Sequence, residues 1–151
     1  MRTSKRFDQA INKLYEAFHS NRLHPECCKQ CAVGNILDGQ DFWKHLSDDH
    51  GSTQLNLLGK LHQAKGKRFN GYTPQELLCI EVSFLRACGY ELPVHYRNNK
   101  PDNPQDKELL FQGLSAVVST LCELDQISNV MDCSMLFNYE HKKTDTFVPV
   151  Q

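Results

Sequence analysis

Thr73-Pro-Gln-Glu-Leu-Leu-Cys-Ile-Glu-Val-Ser-Phe-Leu-Arg-Ala-Cys-Gly89 carries the most complete helix specification in the chain. Thr73 suits an N-cap and Pro74 the first helical position. Glu76 stands three residues after the cap, where its carboxylate can close a capping box. Leu77, Leu78, Ile80, Val82, Phe84, Leu85 and Cys88 then make the segment apolar on nearly every side. A helix of that kind belongs inside a protein rather than on its surface. Gly89 supplies the stop.

The rest of the sequence reads as partners for this helix. Upstream, residues 3–21 place Phe7, Ile11, Leu14, Tyr15 and Phe18 at helical spacing, with Lys5, Arg6, Asp8 and Glu16 opposite. A second helix is expected over 25–37, opened by Pro25 and closed by Asp38-Gly39. A short one is expected over 41–46, with Phe42, Trp43 and Leu46 turned inward. Leu55, Leu58 and Leu61 mark another over 52–63, capped by Asp49 or Ser52. Downstream, 90–103 holds two prolines and an Asn-Asn-Lys-Pro-Asp-Asn run and reads as a long irregular connection. Asn103-Pro104 opens a long helix to residue 125, with Leu110, Leu114, Val117, Val118 and Leu121 inside. Residues 134–139 suggest one more turn. No period-2 strand and no internal repeat is found. The expected fold is all-α, a compact single-domain bundle of five to six helices over 1–140, with a polar C-terminal tail at 141–151.

Length and charge narrow the function classes. A chain of 151 residues can bury one core. A net charge of −1 creates no field that recruits nucleic acid or a membrane. No apolar run reaches bilayer length, and the N-terminal segment is amphipathic rather than a secretory signal. The seven cysteines are odd in number, and Cys79, Cys88 and Cys122 sit within helical patterns. That distribution fits free thiols in a reducing, cytoplasmic compartment better than a disulfide framework.

Three of those cysteines cluster in His24-Pro-Glu-Cys27-Cys28-Lys-Gln-Cys31. On a helix opened by Pro25, His24, Cys27, Cys28 and Cys31 fall at i, i+3, i+4 and i+7 on one face. Imidazole and thiolate donors suit zinc or iron. One continuous helix rarely closes a tetrahedron, so His45 and His50, or Asp48 and Asp49 between them, are the expected additional ligands. Two further readings stand beside this one. Cys28 and Cys31 are small enough to be core residues. The C-x-x-C at a helix start, or Cys31 with His24 or His50 as base, also permits thiol redox or nucleophilic chemistry. The thioredoxin reading lacks its βαβ context. Ferredoxin and c-type haem spacings are absent, as are nucleotide-binding fingerprints and the EF-hand pattern. Lys60, Lys65, Lys67 and Arg68 interleave with Phe69 and Tyr72. That loop is read first as a solvated face or a docking site for a protein partner, and only weakly as a nucleic-acid contact.

Taken together, His-Pro-Glu-Cys-Cys-Lys-Gln-Cys-Ala-Val-Gly-Asn, His-Leu-Ser-Asp-Asp-His-Gly-Ser and Phe-Asn-Gly-Tyr-Thr-Pro-Gln-Glu-Leu-Leu resemble a small bacterial family of about this length. Its members are often labelled as a component of the Na⁺-translocating NADH:quinone reductase. The label implies a ferredoxin-like [2Fe–2S] domain, a flavin- and NADH-binding reductase and a membrane anchor. None of these matches the helical pattern or cysteine spacing here, so no flavin, NADH or cluster residues are carried over. Three expectations follow. The first is a small cytoplasmic binding or accessory protein with a metal on its Cys/His face. The second is a metal-free structural or protein-interaction domain. The third is a thiol-redox protein or a component linked to the quinone reductase.

Overall fold

A computed structural model of the chain describes residues 4–126. Among these residues the fold is all-α: five helices, a 3₁₀ turn and no strand, with one isolated bridge between Phe69 and Tyr72. The expected turn at 134–139 and the tail at 141–151 lie outside the described residues.

Helix α1 (Lys5–His19) starts where Ser4 accepts a hydrogen bond from the Phe7 amide, and it buries Phe7, Ala10, Ile11, Leu14, Ala17 and Phe18. Helix α2 (Ala32–Ile36) is a short, almost wholly buried turn and a half. A 3₁₀ turn (Phe42–Leu46) buries Trp43 and Leu46. Helix α3 (Leu57–Ala64) begins at Asn56, whose side chain accepts from the Gly59 amide. Helix α4 (Pro74–Ala87) carries the complete capping box of Thr73 and Glu76. Helix α5 (Lys107–Leu124) is capped by Asp106 and buries Leu110, Gly113, Leu114, Val117, Val118, Leu121 and Cys122.

Helix α4 is the centre of the arrangement. It packs most extensively on α5 and also touches α2, α3 and the 3₁₀ turn. The α4–α5 seam is close because Gly113 has no side chain. A Cβ there would lie 2.5 Å from Cys88 Sγ and 2.9 Å from the Phe84 ring. The two ends of the described chain are drawn together by Arg6. Its guanidinium donates to Asp125 (2.7 Å), Glu76 (2.9 Å) and the Gly71 carbonyl (2.8 Å), and stacks over Tyr72. The stretch after α4 is irregular as expected, and Val94 ties it to the loop before α3 through a bond to the His50 carbonyl (2.8 Å).

Four sequence expectations are corrected. Residues 25–31 form successive turns rather than helix. Phe42 is 42% exposed, not buried. The helix expected over 52–63 starts only at Leu57 and is capped by Asn56, not Asp49 or Ser52. The last long helix starts at Lys107, since residues 104–105 form a turn. In the first case the reason lies at Gly34. A Cβ on it would sit 2.3 Å from the Cys28 carbonyl oxygen and 2.5 Å from the backbone of Lys29. The 28–29 backbone folds directly onto the first turn of α2, which an uninterrupted helix would not allow.

Candidate metal centre

The turn that replaces the expected helix is held from inside. The Cys27 carbonyl accepts from the amides of both Gln30 (2.9 Å) and Cys31 (2.8 Å), and the His24 amide donates to the Gln30 carbonyl (2.8 Å). Asn35 extends its amide group to the carbonyls of Arg22, Gln30 and Cys31 at 2.9–3.2 Å. The outcome is that Cys31 becomes the N-cap of α2, with extended backbone and its Sγ accepting from the Gly34 amide at 3.4 Å. Its own thiol points at the Cys28 carbonyl, 3.6 Å away. That carbonyl also accepts from the Trp43 indole at 3.0 Å, which fixes the 3₁₀ turn against the cysteine turn.

Two other elements bring groups to this sulfur. The loop after the 3₁₀ turn delivers His50, whose ring meets Trp43 edge-on at 5.8 Å. Helix α4 delivers Glu81 from its otherwise apolar middle. Glu81 is 1% exposed. One of its oxygens accepts from the Val33 amide in the first turn of α2 (3.2 Å), and the other lies 2.9 Å from His50 Nε2. Cys31 Sγ, a His50 ring nitrogen and a Glu81 oxygen all lie within 4.8 Å of one another. Cys31 is fully buried, and the His50 side chain is 15% exposed. Beside His50 opens a cleft of about 440 Å³, walled by Cys28, Trp43, His45, Asp48 and Asp49 among others.

The electrostatics of the site favour a protonated thiol. Burial pushes Cys31 well above the ordinary thiol range, and the nearby Glu81 charge adds to that against the weaker pull of the Gly34 amide. Burial, then Glu81, also raises Cys28. A thiol so placed is not a ready nucleophile at neutral pH, because attack requires the thiolate. A bound cation inverts this logic, since coordination removes the proton outright.

The geometry can be tested against a metal. An ion with bonds of about 2.0–2.3 Å holds its donors roughly 3.3–3.8 Å apart. The three donor atoms lie within 4.8 Å of one another, so movements of up to about 1 Å bring them to that spacing. The His50–Glu81 contact would lengthen by a few tenths of an ångström, and the thiol would draw in. Three donors from three separate segments also meet the objection that one helix cannot wrap an ion.

Of the candidate ligands His24, Cys27, Cys28, Cys31, His45 and His50, Cys31 and His50 meet in this cluster. Cys28 and the exposed His45 line the adjoining cleft. His24 and Cys27 belong to the turn before Cys31, where His24 Nδ1 accepts from the Glu26 amide at 3.2 Å. Glu81 stands outside every sequence motif. Its signal is a lone carboxylate at the centre of a helix that is apolar on nearly every side, a position almost never occupied by an unpaired charge. No family model, curated protein or solved structure matches the chain. Among the described residues no helix is long and apolar enough to cross a membrane.

Proposed function

We propose that the protein is a small cytoplasmic metal-binding protein in which Cys31, His50 and Glu81 hold a zinc or iron ion. One observation carries the reading: a thiol, an imidazole and a carboxylate from three distant parts of the chain converge at a nearly dry point beside an open cleft. The buried Glu81 carboxyl meets the Val33 amide, the His50 imidazole and the Cys31 thiol. A divalent cation would balance the Glu81 charge, turn Cys31 into a thiolate and use donors suited to zinc or iron. The cleft at His50 gives an ion and a fourth donor access from solvent. The six free cysteines among the described residues fit a reducing compartment.

A second reading has its own support. Every member of the cluster already has an internal partner. Cys31 and Glu81 both serve the start of α2, and His50 serves Glu81. The cluster would then be a polar clamp that fixes α2 and the His50 loop to α4, in a protein whose task is binding a partner.

Metal analysis of untagged protein purified without chelator separates the two. The metal reading expects about one equivalent of zinc or iron, lost in Cys31→Ser and in Glu81→Gln but kept in Cys88→Ser. Adding that ion at a hundredfold excess over its Kd should stabilise the chelator-treated chain by roughly 2.7 kcal/mol. Metal-free protein, with no thermal shift on adding zinc or ferrous ion, would leave the clamp as the account.

A further inference from the structure

Three protein donors leave one position of a tetrahedral ion open, and what fills it separates a closed site from a catalytic one. In a closed site all four ligands come from the chain. In a catalytic site the fourth is water or substrate. The wall of the cleft beside His50 offers Cys28, His45, Asp48 and Asp49 for this place. His45, Asp48 and Asp49 are exposed, and Asp48 already accepts from the Asn56 side chain at 3.3 Å. Cys28 is half-buried and packs against the core.

Two features tie Cys28 to the cluster. The first is spacing. Cys28-Lys-Gln-Cys31 has the separation at which paired cysteines commonly grip one ion. The turn through these residues, closed where the Cys27 carbonyl accepts from the Gln30 and Cys31 amides, keeps the two close. The second is that the Cys28 backbone is pinned while its side chain is not. Its carbonyl takes the Trp43 indole at 3.0 Å and faces the Cys31 thiol at 3.6 Å. Its own thiol makes no hydrogen bond to any described residue, whereas Cys31 Sγ accepts from Gly34 and His50 is bonded to Glu81. Cys28, Cys31 and Glu81 are within one another's electrostatic reach. Cys28 Sγ stands outside the 4.8 Å group, but a change of χ1 rotamer swings a sulfur by about 3 Å.

We infer that Cys28 swings in from the cleft wall as the fourth ligand and closes a two-cysteine, histidine and glutamate centre. The inference rests on the reading of Cys31, His50 and Glu81 as a metal site. Those three converged donors seat the ion, and Cys28 shuts it off from the cleft. With no position left for water, the ion is held as a structural or stored metal and does not act as a hydrolytic catalyst. The cleft is the route by which it enters.

Counting the thiolates on the ion tests it. In the chelator-treated full-length chain at saturating cobalt(II), the thiolate-to-cobalt band of Cys28→Ser should fall to about half that of the wild type, one thiolate remaining of two. Zinc affinity, by competition with a chromophoric chelator, should fall by more than about a hundredfold, beyond the roughly 10–100-fold cost of losing a residue that only supports a ligand. Cys27→Ser should match the wild type in both. In the unsubstituted chain, zinc should shield Cys28 but not Cys27 from alkylation, read by fragmentation of the tryptic peptide 23–29. A wild-type band in Cys28→Ser with one equivalent bound would overturn the inference and leave the three-ligand site standing. So would alkylation of Cys28 that zinc does not slow, or a halved band in Cys27→Ser instead. A wild-type chain that gives no band would remove the metal reading itself and this inference with it.

Discussion

Helices α3 and α4 are both leucine-bearing, and the fold uses them in opposite ways. Helix α4 turns Leu77, Leu78, Ile80, Phe84 and Leu85 into the core and leaves Arg86 outside. Helix α3 turns Gly59 inward and leaves Leu57, Leu58 and Leu61 outside. Among the described residues, every other helix contributes to the core cluster and α3 contributes nothing. Periodicity states that a helix has an apolar face. It does not state which way that face is turned, and here one glycine at a crowded contact decides it. The same pair differs in its polar residues. The buried face of α4 contains Glu81, a carboxylate placed where only leucines would be expected, and that exception builds the candidate metal centre.

The largest effect that would sharpen this contrast is Phe84→Ala. Phe84 is fully buried and meets Gly113 across the α4–α5 seam. Its truncation should cost about 3–5 kcal/mol in urea unfolding, and a cost below about 1 kcal/mol would deny α4 its central place. Next comes pH. Burial raises Cys31 and Cys28, and pushes Cys88 up to about 12. The folded state then keeps protons that the unfolded chain releases above about pH 8.5, so unfolding becomes more favourable as pH rises from there. Through Cys88 alone, chelator-treated protein should lose roughly 3 kcal/mol between about pH 7 and pH 10.5 by denaturant titration. An unchanged midpoint would contradict the dry setting of these thiols.

Gly59→Ala should cost about 1–3 kcal/mol, because the added carbon meets a backbone carbonyl that cannot yield as a side chain would. Exchange should quicken in α3 while α4 stays protected; equal loosening of both helices would erase their distinction. The smallest effect belongs to Leu57→Gln on the most exposed leucine, expected to shift stability by less than about 0.5 kcal/mol. A loss comparable with that of Phe84→Ala would mean that α3 is as deeply integrated as α4.

What is legible in the sequence follows from how local each determinant is. Thr73, Pro74 and Glu76 specify a helix start among neighbours, and the capping box forms as read. Gly89 stops the helix at φ 97°, again a local matter. The turn at 25–31 is not legible. Pro25 permits a helix, but the Cys28 and Lys29 backbone is folded onto Gly34 and the Asn35 side chain ties the carbonyls of Gln30 and Cys31, contacts that spacing alone does not reveal. The candidate site divides in the same way. Cys31 and His50 stand out by residue type and grouping. Glu81 lies 50 residues after Cys31 in sequence and reaches it only because α4 packs on α2. The helical pattern that makes α4 easy to recognise also conceals its one buried acid.

Cobalt(II) titration of the chelator-treated, full-length protein tests the metal centre most directly. If Cys31, His50 and Glu81 bind the ion, one equivalent should produce a thiolate-to-cobalt charge-transfer band in the near ultraviolet, with proton release. That band should disappear in Cys31→Ser, persist in Cys88→Ser, and be displaced by zinc. A wild-type spectrum indistinguishable from free cobalt, or a charge-transfer band that survives Cys31→Ser, would contradict the assignment.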